Sequence, residues 1–348
     1  MHRRIAVLRR LSFVATLLAF CVVVFGAYVR LTDAGLGCPD WPGCYGHLTP
    51  SAAAEAAAAG LIDAEVHEQK AWNEMIHRYL ASTLGLMILV IAGLALFWRR
   101  RHAEIPLVLP LVLVALVIFQ GLLGMWTVTL LLKPLIVTGH LAGGLSTMSL
   151  LWWLWMTLRR MSSDPWSGTL KARAGGNAAA LLLPAPLKLR KLALVALVAL
   201  AIQILLGGWT SSNYAAVACP DFPRCQASWW PEADFGEAFV LWRGLGINYE
   251  GGVLYHPARV AIHFTHRLGA IVATIALLLA AVITLAKRRE GNSRLAAALV
   301  LGALLLQLLI GIFMVTRGFP LWLATAHNAG AALLLLATLA LNRALRRA

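Results

Sequence analysis

Charge is in short supply: Asp, Glu, Lys and Arg make up 13% of the 348 residues, and only 15 residues are acidic. Soluble domains carry about a quarter of their residues as charges, so an ordinary water-soluble fold is excluded. Cysteine is scarce too, with five in the chain, which excludes a disulfide-dense secreted scaffold. No Arg- and Ser-rich leader opens the sequence, and the basic start runs into an apolar stretch to Arg30 without a clean small-x-small site. Neither a transit peptide nor a cleaved signal peptide is expected, and the stretch reads as a retained first span.

Apolar length is what the chain has in quantity. Hydrophobic residues reach 60% and mean hydropathy is +0.76. Runs near 11–30, 74–98, 105–130, 135–158, 189–210, 258–286, 295–316 and 321–342 can each cross about 30 Å of hydrocarbon. The expected fold is an all-α integral membrane protein with eight transmembrane helices.

The net charge of +15 is explained by where it falls. With the N-terminus in the cytoplasm, that side collects Arg3, Arg4, Arg9 and Arg10, then Arg99, Arg100 and Arg101, then Arg159, Arg160, Lys171, Arg173, Lys188, Arg190 and Lys191. Lys287, Arg288, Arg289, Arg294, Arg343, Arg346 and Arg347 join them, whereas only Glu104, Asp164 and Glu290 of the acidic residues do. This is the positive-inside pattern, which puts both termini in the cytoplasm and gives nucleic acid no role. A bacterial inner membrane is the expected location, with membrane lipid as the surroundings.

The chain also repeats itself. Cys38-Pro39-Asp40-Trp41-Pro42-Gly43-Cys44 matches Cys219-Pro220-Asp221-Phe222-Pro223-Arg224-Cys225, and His77-Arg78 matches His266-Arg267. Gln120 with Gly124 matches Gln307 with Gly311, and His140 matches His327. One four-span unit has been duplicated, and both copies enter the membrane in the same sense. The expected organisation is an N-terminal four-helix unit over 1–160, a cytoplasmic linker over 161–188 and a C-terminal four-helix unit over 189–348, as two pseudo-symmetric bundles.

Four histidines sit near the outer ends of spans in this topology: His77 and His140 in the first unit, His266 and His327 in the second. Ionisable side chains at membrane depth are expensive and functional by default, and a four-helix bundle can aim two of them into its core. Two histidines are too few for zinc. Haem brings four equatorial nitrogens and needs only axial ligands, so a bis-histidine haem in each unit fits the ligand count. Interhelical hydrogen bonding and a proton relay are the competing readings. His2, His47, His67, His102 and His256 fall in tails, loops or at a helix edge and read as solvated.

One neighbour does not repeat. His263 precedes His266 by three residues, on the same helical face, and the equivalent position before His77 holds Glu74. A carboxylate beside one cofactor site can act as a base or stabilise developing positive charge, so the Glu74 unit reads as the chemical site. A solvated or capping glutamate is the bland alternative. Arg78 and Arg267, at outer helix ends, are candidates for propionate contacts. Cys21, within the first span, reads as inert core. Cys38 with Cys44 and Cys219 with Cys225 lie in outer loops and are expected to form disulfides, with a redox role for the first pair left open.

Over nearly its whole length the sequence resembles the heme A synthase family. The carriers are Arg30-Leu31-Thr32 to Gly35-Leu36 leading into the first Cys-Pro-Asp-Trp-Pro motif, Glu74-Met75-Ile76-His77-Arg78, the Gln120 to Gly124 segment, Thr138-Gly139-His140, His266-Arg267 and His327-Asn328. The resemblance implies oxidation of the C8 methyl of haem O, through successive hydroxylations, to the formyl group of haem A for cytochrome oxidase biogenesis. It implies His77 and His140 as ligands of the substrate haem O, His266 and His327 as ligands of a permanent haem B, and Glu74 as the acidic residue beside the substrate. Haem O synthase as donor, an electron acceptor of unspecified type and a homo-oligomer are the partners this reading leaves room for. Its rivals are a di-haem membrane cytochrome b linking quinol to a partner, a thiol oxidoreductase using the outer cysteines, and a transporter with a histidine relay.

Overall fold

The computed structural model describes residues 2–63, 65–163, 185–288 and 291–346. Most of the linker, together with Asp164, Lys171, Arg173, Arg289, Glu290 and Arg347, lies outside the described residues. Eight helices are long and apolar enough to cross a membrane. They are α1 (His2–Leu31), α3 (Glu68–Arg99), α4 (Val108–Thr129), α5 (Pro134–Ser163), α6 (Leu187–Ser212), α8 (His256–Lys287), α9 (Gly291–Thr316) and α10 (Leu321–Leu345). Two short helices, α2 (Pro50–Ala58) and α7 (Phe235–Ala238), sit in the loops that carry the cysteine motifs. Among the described residues there is no strand, only isolated bridges at Cys44 with His47 and Cys225 with Ser228.

Helix starts follow local chemistry. Pro50 and Pro257 occupy first-turn positions, and α5 opens on Pro134, where the missing N–H of proline costs nothing. The Thr49 hydroxyl accepts from the Ala52 amide, and the Asp234 carboxylate accepts from the Glu237 amide, capping α2 and α7. Inside the spans Ser12, Thr16, Thr284 and Thr338 return their hydroxyls to the carbonyl one turn back, which leaves no bare hydroxyl in an apolar surround.

Each half closes into the same ring of neighbours. Helices α1, α3, α4 and α5 pack in that cyclic order, and α6, α8, α9 and α10 repeat it. Between the halves, α1 packs on α10 and α5 packs on α6; these two contacts exchange when one repeat is substituted for the other. One buried apolar cluster runs through both bundles, from Ile5, Ala15 and Leu151 to Leu277, Val300 and Leu341. Polar ties fasten the same seam near the cysteine-loop end. Arg30 Nη2 donates to the Ser211 carbonyl at 2.8 Å, and the Tyr214 hydroxyl donates to Asp33 at 2.7 Å.

Two expectations need correction. Most helices overrun the apolar stretches, above all α1, which starts at His2 where 11 was predicted, and α3, which starts at Glu68 where 74 was predicted. Hydropathy reports only the hydrocarbon-facing part, whereas the polar Glu68-Gln69-Lys70 turn extends the helix into the loop layer. Cys21 is exposed rather than core, because it lies on the face of α1 turned away from the bundle.

Candidate haem sites

Helices α3 and α5 stand diagonally across the first ring, and α8 and α10 across the second, so the four predicted histidines come from diagonal helices. His77 and His266 sit deep in α3 and α8, while His140 and His327 each lie six residues into their helices. The rings of His77 and His140 face each other with centroids 6.4 Å apart and planes at 76°.

Glycines on the adjacent helices make room for each ring. A Cβ at Gly26 would lie 2.8 Å from His77 Cε1, and one at Gly124 would lie 3.4 Å from His140 Cε1. In the second half, a Cβ at Gly207 would lie 3.1 Å from His266 Cε1, and one at Gly311 would lie 3.0 Å from His327 Cε1. Each diagonal histidine thus packs edge-on against a helix backbone, closely enough at Gly26, Gly207 and Gly311 that a Cβ would push the ring away, and at ordinary contact distance at Gly124.

A cavity of about 740 Å³ opens between the first pair, lined by His77, His140, Glu74, Arg78, Gln120 and Gly124 among others. That is a typical volume for a small-molecule or cofactor pocket. Its wall includes exposed apolar side chains, Tyr79 and Leu89 on α3, Ile118 on α4 and Leu48 in the loop, so the cavity reaches the apolar surface between α3 and α4.

Glu74 is buried, 5% exposed, and is neither a cap nor solvated. Its Oε2 accepts from the Cys38 amide at 2.9 Å, and its Oε1 pairs with Arg78. Arg78 also donates to the carbonyls of Asp40 at 2.9 Å and Gly43 at 2.5 Å. The same construction recurs with one substitution. Arg267 donates to the carbonyls of Cys219 at 2.7 Å and Arg224 at 2.6 Å, and its Nε donates to His263 Nε2 at 3.3 Å. His263 therefore takes the place of Glu74 in space as well as in sequence. Both arginines are turned to their loops, a bracing role that sequence reasoning missed because the acceptors are backbone carbonyls about forty residues away.

Both loops are closed by disulfides, Cys38 to Cys44 and Cys219 to Cys225. The aspartate of each motif accepts two backbone N–H groups across the turn. Asp40 takes them from Tyr45 and Gly46, and Asp221 from Gln226 and Ala227. The first loop lies against the cavity through Glu74 and Arg78, and the second is tied to the matching end of its bundle through Arg267.

The residues suit a macrocycle better than a bare ion. Among the described residues, no group of three or more His, Cys, Asp or Glu converges to hold a metal. The Nδ1 atoms of His77 and His140 are buried without hydrogen-bond partners. Metal–imidazole bonds run about 2 Å, so two rings at a centroid distance of 6.4 Å leave room for a metal between them.

Eight spanning helices, diagonal histidine pairs in two matched rings and disulfide-closed loops over them define an all-helical multi-pass membrane protein with two candidate cofactor seats. The sequence matches the model of the COX15-CtaA family, described as a cytochrome oxidase assembly protein, over residues 9–339. The chain belongs to that family. A protein of Shewanella oneidensis named Heme A synthase is 44% identical, over 96% of this chain and 94% of its own length. Proteins of the same name from Rhizorhabdus wittichii and Halalkalibacterium halodurans are each 28% identical, covering 92% and 94% of this chain and 89% and 92% of their own lengths.

Proposed function

We propose that this chain makes haem A from haem O, oxidising the C8 methyl group to a formyl group, in a bacterial inner membrane with both termini cytoplasmic. The single observation that carries the assignment of halves is the buried Glu74 on the wall of the His77–His140 cavity, where the other half has His263. In this reading His77 and His140 hold haem O by its iron, and the apolar side of the cavity, at Tyr79, Leu89 and Ile118, takes the isoprenoid tail from the lipid. Delivery from haem O synthase through the membrane suits so insoluble a substrate.

Two histidines on the substrate iron leave it no open position, so the chemistry falls at the haem edge. With water as the source of oxygen, each hydroxylation removes two electrons and one proton from the methyl carbon and bonds that carbon to the hydroxyl of a water, whose other proton also leaves; loss of water from the doubly hydroxylated carbon leaves the aldehyde. Glu74, held in place by the Cys38 amide and Arg78, stabilises positive charge developing at that carbon and accepts protons leaving it. His266 and His327 would hold haem B, which would supply a redox centre beside the substrate bundle for handing electrons to an external acceptor. Arg78 and Arg267 keep the loops folded over the two seats, with unused donor capacity for propionates.

The experiment is to express the chain in cells making haem O, purify it and identify its haems by absorption and mass spectrometry. Haem B together with haem O and haem A is the expected content. A colourless protein would instead fit a transporter, and haem B alone a membrane cytochrome b.

The glycine seats give a second expected result. Gly26→Val drives a branched side chain into His77, and overpacking of this kind costs about 1–3 kcal/mol. Titration with haem is expected to show at least tenfold weaker binding in the first half. Gly93→Val, whose added Cβ would meet nothing within 4 Å, is expected to leave binding unchanged.

A further inference from the structure

Three of the four histidines are clamped by a glutamine, and the fourth is not. Gln120 Nε2 donates to the His140 carbonyl at 2.9 Å, Gln203 Nε2 to the His266 carbonyl at 3.0 Å, and Gln307 Nε2 to the His327 carbonyl at 3.1 Å. In the second half the amide also covers the ring. Gln203 Nε2 lies 3.1 Å and 3.5 Å from the two nitrogens of His266, and Gln307 Nε2 lies 3.2 Å and 3.3 Å from those of His327. A partner in line with one ring nitrogen would be far from the other, so these amides lie over the ring face.

Each clamp needs a glycine three residues after its histidine. A Cβ at Gly143, Gly269 or Gly330 would collide with the glutamine Oε1, far inside van der Waals contact. The pattern is thus Gln-x-x-x-Gly on one helix facing His-x-x-Gly on the next, three times over. At His77 the ring-facing Gly26 is kept, but Val22 stands where the repeat has Gln203 and Leu80 where it has Gly269. The two replacements go together: without the amide the glycine is not needed. Val22 lines the cavity; the Nδ1 atoms of His77 and His140 alike lack hydrogen-bond partners, so the two ligands differ in the glutamine on the His140 carbonyl.

We infer that His77 is the labile ligand of the substrate haem, the last to bind iron as haem O enters and the first to leave it as haem A departs, while the glutamine-clamped His140 is the anchor that lets go last. Glutamines and paired glycines are the positioning residues that make the other three ligands slower to leave iron. Departure of haem A breaks the His77–iron bond first and the His140–iron bond second, entry of haem O forms them in the reverse order, and neither step changes the oxidation state. Partners that orient a ligating histidine alter metal affinity by about 10–100-fold when removed, enough to separate a resident haem from a passing one. The inference rests on the assignment of haem O to the first half.

Carbon monoxide is the probe, because it binds a six-coordinate ferrous haem only after a histidine leaves. Dithionite-reduced, purified full-length protein is mixed with carbon monoxide, and the phases are followed spectrally. Haem O and haem A are expected in the fast phase and haem B in the slow one. Val22→Gln/Leu80→Gly, which builds the missing clamp, is expected to slow the fast phase about 10–100-fold. Gln203→Val/Gly269→Leu, which removes one, is expected to quicken the haem B phase by a similar factor. A folded Val22→Gln/Leu80→Gly protein with an unslowed phase overturns the inference. Should that pair not fold, an unchanged haem B phase in the second pair does so. If the phase slowed by the graft carries haem B, the assignment of halves fails while the clamp stands.

Discussion

Glu74→Gln is expected to cut haem A formation by about 10²-fold or more, the usual scale for a positioned base or charge stabiliser, without emptying either haem seat. The amide keeps the size of the carboxylate and an oxygen for the Cys38 amide, which now donates at 2.9 Å. It removes the negative charge facing the cavity. Glu74→Ala is a harsher change, because besides the charge it removes the oxygens that accept from the 12%-exposed Arg78 side chain and from the Cys38 amide. Breaking a buried pair from one side costs about 3–5 kcal/mol. The comparison is therefore between Glu74→Gln and wild type, read as haem A formed per bound haem O, with total haem and thermal stability measured alongside. Normal haem A formation by Glu74→Gln would remove the electrostatic role. Loss of haem O from the purified variant would instead make Glu74 a binding residue. Glu74→His, which installs the residue found at the equivalent position 263, is expected to be as inactive as Glu74→Gln and to bind haem normally.

Much of this architecture is legible in the amino-acid sequence, for identifiable reasons. The eight spans follow from apolar length, and the histidine pairs from their recurrence in equivalent contexts. The Glu74–His263 exchange stands out because the His-Arg pair three residues on repeats. What the sequence hides are relations across the ring. Gln120 and Gln307 align at one offset, but Gln203 belongs to the other helix pair, where its counterpart is Val22. The three clamps appear as one motif only once α6 is known to neighbour α8, and α4 and α9 to neighbour α5 and α10. Every residue of that motif is nonetheless written in the chain, Gln203 with Gly207 and His266 with Gly269 included; only the adjacency of the helices has to come from the fold. The arginine braces are hidden more deeply, since a backbone carbonyl leaves no mark in a side-chain pattern.

His266→Gly is expected to abolish haem A formation from a distance, by removing the permanent haem and with it the outlet for electrons. The two halves touch where this matters. Gly208 and Ser211 of α6 and Asn328 of α10 line the first-half cavity, and Asn328 directly follows His327. A cofactor held by His266 and His327 is thus next door to the reacting haem. The variant is expected to keep haem O on His77 and His140, to lack most of its haem B and to form no haem A. Glycine leaves a ring-shaped hole against Gly207, the residue whose added Cβ would lie 3.1 Å from the His266 ring, so free imidazole can re-enter it. Added imidazole is expected to restore low-spin haem B and part of the activity, which a misfolded bundle would not regain. Full haem B occupancy without imidazole would show that His266 does not hold it. Restored haem B with no return of haem A formation would separate binding from electron transfer and place the outlet elsewhere. The rescue thus distinguishes a ligand from a structural histidine, because Gln203 would still donate to the carbonyl at position 266 and hold the helices together.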